Sequence, residues 1–93
     1  MLIGTAQYEL LIPGAASLKE KRFVLKSVKT KIQNRFNVSI AEVDHLDKWQ
    51  RACPGVACVA NERRFLDEVM SKITNAMMED HRFEVIDHCI EVL

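Results

Sequence analysis

No stretch of this chain approaches the ~20 consecutive apolar residues that a membrane helix requires. Its first residues also lack the basic-then-apolar pattern of a secretory signal, so a soluble, cytoplasmic protein with no membrane partner is expected. The three cysteines, Cys53, Cys58 and Cys89, are odd in number and form no CxxC pair. They outline neither a disulfide framework nor a zinc site, and reduced, partly buried thiols are expected. With only three glycines, no Gly-rich phosphate loop exists. Net charge is missing as well: 13 basic and 13 acidic residues cancel, which excludes a uniformly basic nucleic-acid binder. A length of 93 residues leaves room for a single domain over 1–93, because a second compact core needs roughly another 50 residues.

What is present is an ordinary globular composition, 48% hydrophobic and 28% charged, with an uneven charge layout. Residues 1–16 carry only Glu9. Residues 17–37 carry Lys19, Lys21, Arg22, Lys26, Lys29, Lys31 and Arg35 against Glu20, a sum of +6. The remaining six basic and eleven acidic residues sum to −5. A neutral chain thus contains one strongly basic segment.

In the opening segment, Met1 to Ile12, the residues Leu2, Ala6, Tyr8, Leu10 and Ile12 share one parity and Thr5, Gln7 and Glu9 the other, the pattern of a strand with one buried face. Pro13-Gly14 ends it. Ser17-Leu18-Lys19-Glu20 forms a capping box, in which the serine hydroxyl accepts from the third helical N–H and the glutamate reaches back to the serine N–H. The helix it starts has an apolar stripe of Leu18, Leu25, Val28, Ile32 and Phe36, with Asn37 as a left-handed cap. Val38 to His45 reads as a second strand. A third runs from about Trp49 to Ala60, with Pro54-Gly55 calling for a bulge or for regular pairing only from Val56. Asn61 is the expected N-cap of a second helix, whose stripe is Phe65, Leu66, Val69, Met70, Ile73 and Met77. Methionines at that spacing are core filling. Phe83 to Leu93 is the last strand. The order β-α-β-β-α-β predicts an α+β, ferredoxin-like domain: a four-stranded antiparallel sheet with both helices on one face and the other face uncovered.

Several of these stretches resemble the YlxP-like family of small bacterial proteins of unknown function. They are Ile12-Pro13-Gly14, Ser17 to Arg22, Val24 to Ser27, Arg35 to Ser39, Ala41 to Asp44, Trp49 to Ala52 and Gly55 to Ala57. The resemblance covers most of residues 1–60; the second helix and last strand match only in pattern. It implies a compact ferredoxin-like domain with no established catalytic role and, through the family's association with translation and ribosome-maturation genes, a link to ribosomes. Cys53-Pro54 departs from the pattern, which usually has a strand-compatible residue before the glycine.

Three functional readings follow. In the first, Lys19, Arg22, Lys26 and Lys29 line one flank of the first helix, with Phe23 beside Lys19 and Lys26 and almost opposite the core stripe. Cations for phosphates and a flat ring for a base are what an RNA site needs, and ribosomal RNA or a ribosomal particle is the expected partner. Stacking of RNA on the sheet is disfavoured, because Thr5, Gln7, Glu9, Ala57 and Val59 supply no aromatic pair there. In the second reading, the domain self-associates as a homo-oligomer, or binds a protein, through the open sheet face or an edge strand. Trp49, Gln50 and Arg51 are interaction candidates here, although Trp49 can equally close the core and Arg51 pair with Asp44. In the third, Asp44, His45 and Asp47 perform acid–base chemistry or bind a metal. No second ligand cluster or nucleophile-plus-base pair accompanies them, so the chain reads as non-enzymatic, without cofactor or metal. His81 and His88 are isolated.

Overall fold

The computed structural model describes residues 1–93. Its elements are β1 (Leu2–Leu11), α1 (Leu18–Arg35), β2 (Ser39–Asp44), β3 (Arg51–Ala60), α2 (Arg63–Glu79) and β4 (Glu84–Val92). The sheet order is β2-β3-β1-β4, and every neighbouring pair is antiparallel. β3 therefore lies between the mutually parallel β1 and β2, the split arrangement of an α+β ferredoxin-like fold.

The two parities of β1 separate as the alternation requires. Ala6, Tyr8, Leu10 and Ile12 are buried on the face that the helices cover, while Gln7 is exposed on the other. The helices cover this face unequally. α2 buries Leu66, Val69, Met70, Ile73, Thr74, Ala76 and Met77, whereas α1 buries only Val28, Ile32 and Lys21. Tyr8 joins the layers, its hydroxyl 2.8 Å from Thr74 Oγ1, which satisfies a buried polar group that would otherwise destabilise the core.

Local details differ from the sequence reading in several places. Ser17 Oγ does accept from Glu20 N, but the Glu20 carboxylate accepts from Ala16 N instead of Ser17 N. Asn37 is not left-handed, because α1 passes through Phe36 directly into extended backbone (φ −135°). α2 is preceded by Glu62, which makes no side-chain cap bond, so Asn61 is not the cap. Phe65 is 54% exposed, on the edge of the α2 stripe and outside the core. The irregularity expected in the third strand at Pro54 falls in its partner instead: the β2–β3 register shifts between Glu42 and Asp44, opposite Pro54 and Cys53, and β3 pairs with β1 from Arg51 onward, not only from Val56. Placing the extra residue in β2 lets β3 run unbroken through its proline.

Candidate functional site

α1 gives the molecule its basic face. Lys19, Arg22, Lys26, Lys29 and Lys31 are all exposed, and no carboxylate lies within ion-pair distance of any of them. α2 contrasts sharply, since Arg63 pairs with Asp67 at 3.0 Å and Arg64 with Glu68 at 3.9 Å. Glu20, the one acid of α1, is occupied at the helix start. Phe23 stands among these cations with 73% of its surface exposed.

Lys19, Arg22, Lys26 and Lys29 lie along one flank of α1 at ~100° per residue, and Lys31 lies on the other side of Phe23, which shares a shallow groove with Lys26 and Lys31. Arg22, Lys26 and Lys29 line a groove between α1 and β2, beside Ile40 and Pro54. Lys19 and Phe23 face a different groove, closed by the Pro13-Gly14 turn and by His81 and Arg82 of the α2–β4 connection. Arg82 is committed there to Asp80, at 2.6 and 3.0 Å. That bond holds the Asp80 carboxyl below its ordinary range.

Lys21 is the correction to the basic segment. Its side chain is wholly enclosed, where a lysine is rarely found without partners. Nζ donates to the carbonyls of His45 at 2.7 Å, Arg51 at 3.4 Å and Leu46 at 3.5 Å. It also lies 2.9 Å from Glu42 Oε2. Only the remaining six cations of the segment face solvent, so the surface sum over 17–37 falls to +5.

The second cluster sits at one end of the open sheet face. Glu9 projects from β1, and its Oε2 accepts from His45 Nε2 at 2.9 Å and from Arg51 Nη2 at 3.2 Å. Burial alone would raise the Glu9 carboxyl, but these two bonds hold it below its ordinary value. Asp44 Oδ1 accepts from the His45 backbone N–H at 2.7 Å. His45 adopts φ 59°, the only non-glycine residue with positive φ, a conformation that a histidine tolerates in a tight connection. Cys53 lies beside them; burial, and next the Glu9 charge, push its thiol up to about 11.

The acid–base candidates are thus regrouped. Glu9, Asp44 and His45 offer ligand atoms within 4.8 Å of one another, and Asp47 takes no part. A cation here would compete with Arg51 for the same Glu9 oxygen, so the chemistry of the donor set fits an internal ion-pair clamp. Arg51 pairs with Glu9, not with Asp44. Gln50 is also structural: Nε2 donates to the carbonyls of Ala15 and Pro13, at 3.3 and 3.4 Å, and its own carbonyl accepts from Ile12 N at 2.8 Å. Trp49 does not close the core, being 53% exposed. Of the three interaction candidates, only the tryptophan remains free.

The open face of the sheet presents Thr5, Gln7, Ala57 and Val59, with Glu91, Cys89 and Asp87 opposite the outward residues of β1. Its strands place no aromatic ring there.

The family model described as "Protein of unknown function (DUF503)" matches residues 3–90. The chain belongs to this family. It is 44% identical over 72 residues to the "Uncharacterized protein YlxP" of Bacillus subtilis (strain 168), covering 77% of this chain and 78% of that protein. The YlxP-like resemblance read from the first sixty residues is thereby shown. The family's description assigns no activity. No helix is long and apolar enough to cross a membrane.

Proposed function

We propose that this DUF503 member is a non-enzymatic, cytoplasmic accessory domain that contacts RNA, in a ribosomal particle, through the exposed face of α1. The observation that carries the reading is the set of five unpaired cations on α1, Lys19, Arg22, Lys26, Lys29 and Lys31, of which Lys19, Lys26 and Lys31 border the exposed ring of Phe23. Lysines and arginines without carboxylate partners are free to displace counterions from phosphates, and an exposed ring offers a stacking platform. The acidic residues of the open face repel the same polyanion, so the charge layout orients the domain while limiting nonspecific attachment.

Fluorescence anisotropy with labelled single-stranded RNA, and co-sedimentation with ribosomal subunits, test the reading over a salt series. Binding should weaken with salt, at roughly −0.7 in log K per log salt for each phosphate neutralised. Replacing Lys19, Arg22, Lys26 and Lys29 with Glu should abolish it. Phe23→Ala should cost about 1–3 kcal/mol if a base stacks there. Absence of binding at low salt by the unmutated protein, or unchanged binding by the charge-reversed one, overturns the proposal.

A further inference from the structure

β4 is an edge strand of nine residues, Glu84–Val92, with neither lysine nor proline to discourage further pairing. Its bulge at Ile86 leaves Asp87–Val92 in regular register, whereas the opposite edge, β2, has only six residues, carries its bulge within them and is flanked by the cations of α1. Ile86 and Ile90 of β4 are 44% and 41% exposed.

The backbone directions of β4 can be read from its inner partner. Ile3 and Leu93 exchange both backbone bonds, at 3.0 and 2.8 Å. Alternation along an antiparallel ladder then aims Glu91, Cys89 and Asp87 at β1 as well, in their pairs with Thr5, Gln7 and Glu9. The N–H and C=O groups of Val92, Ile90 and His88 consequently face outward. One of these donors is already occupied, because His88 N donates to Asp87 Oδ1 at 2.9 Å.

We infer that β4 pairs antiparallel with β4 of a second copy of this chain, about a two-fold axis at Ile90. A two-fold perpendicular to the sheet places one residue opposite itself, so only a few registers exist. Centring on Asp87 or Glu91 sets an acid against its own copy. Centring on Cys89 sets Asp87 against Glu91. Centring on His88 requires Ile86 in the ladder, but Ile86 is the extra residue of a bulge, because Glu9 pairs with Asp87 and Leu10 with Val85. Centring on Ile90 sets Ile90 against Ile90, His88 against Val92 and Cys89 against Glu91, with no like charges directly opposed. This self-complementarity selects a second copy as the occupant.

Four intermolecular bonds form with nothing displaced: Ile90 N to Ile90 O, and Val92 N to His88 O, each twice. Two more form if Asp87 releases His88 N. The product is a continuous eight-stranded sheet with the helices of both copies on one side. Glu91 of each copy lies diagonal to the other, so added salt should strengthen this dimer, whereas it weakens binding to a polyanion.

Sedimentation equilibrium from micromolar to millimolar protein, at low and high NaCl, combined with amide hydrogen exchange, provides the test. The expected species at high concentration has twice the 10.7 kDa chain mass, and high NaCl favours it. Ile90 and Val92 amides should become protected as it forms, while Cys89 is protected throughout. Ile90→Lys should weaken the dimer by roughly tenfold or more through like charge at the axis. Asp87→Ala should strengthen it by releasing His88 N and removing an acid. Circular dichroism and melting of each variant as a monomer establish that it folds. A strict monomer at millimolar concentration in high salt overturns the inference, as does a dimer that survives Ile90→Lys with the Ile90 and Val92 amides still exchanging freely.

Discussion

Lys21 and Glu42 form the one ion pair whose cation has no solvent exposure, with Nζ 2.9 Å from Oε2. The contact is electrostatic: Glu42 Oε2 accepts no hydrogen bond, because the lysine donates to the carbonyls of His45, Leu46 and Arg51. A single side chain of α1 thereby ties down both ends of the β2–β3 connection, and the carboxylate balances its charge.

Breaking this arrangement from one side should be costly. Lys21→Ala leaves three carbonyls and a half-buried carboxylate uncompensated, and Glu42→Gln leaves a buried ammonium unbalanced. Each should lose about 3–5 kcal/mol in urea denaturation. The double change Lys21→Met with Glu42→Leu should lose markedly less than the sum of the singles, since no unpaired charge remains.

Glu9 makes stability fall in acid. Its folded-state pKa lies below the ordinary 4.5, so the unfolded chain takes up this proton at a higher pH than the folded one does. Its contribution is full above about 4.5 and is lost as pH falls through the lower folded value. Glu9→Gln should therefore flatten the acid limb of a plot of stability against pH. An unchanged acid limb would show that the clamp adds nothing.

Thiol reactivity should divide the cysteines. Cys89 is exposed, whereas Cys53 and Cys58 are buried, so a thiol reagent should modify one group rapidly and the other two only on unfolding. Burial and the Glu9 charge raise Cys53 from 9.0 to about 11. The stability linked to that shift is complete below 9.0 and declines as pH rises through about 11.

The two sheet glycines should respond differently to alanine. A Cβ at Gly4 meets Leu66 Cδ1 at 2.8 Å, and Leu66 is fully buried, so Gly4→Ala should cost about 1–3 kcal/mol by overpacking. A Cβ at Gly55 meets Val43 Cγ1 at 3.0 Å. Val43 is half exposed and can give way, so Gly55→Ala should cost less than 1 kcal/mol, on the order of a tolerated packing change. Thermal melts of the two variants provide the comparison.

Much of the basic face was legible in the sequence, since Phe23 and its cations alternate with apolar positions at helical spacing. The seven-residue gap between Leu18 and Leu25 marks Lys21 as a polar occupant of the buried stripe, at i+3 from one leucine and i−4 from the other. Glu9 was not legible. It carries the outward parity of β1, and nothing local links it to His45, thirty-six residues later.

Periodicity and capping chemistry, which are local, determined the element order, the buried parity of β1, the start of α1 and the apolar stripe of α2. Tertiary structure alone decided which carbonyls and carboxylate hold Lys21, which carboxylate meets His45 and Arg51, and which backbone groups of β4 face outward. Each of these depends on sheet register and on the side-by-side order of strands, and those pairings join residues far apart along the chain.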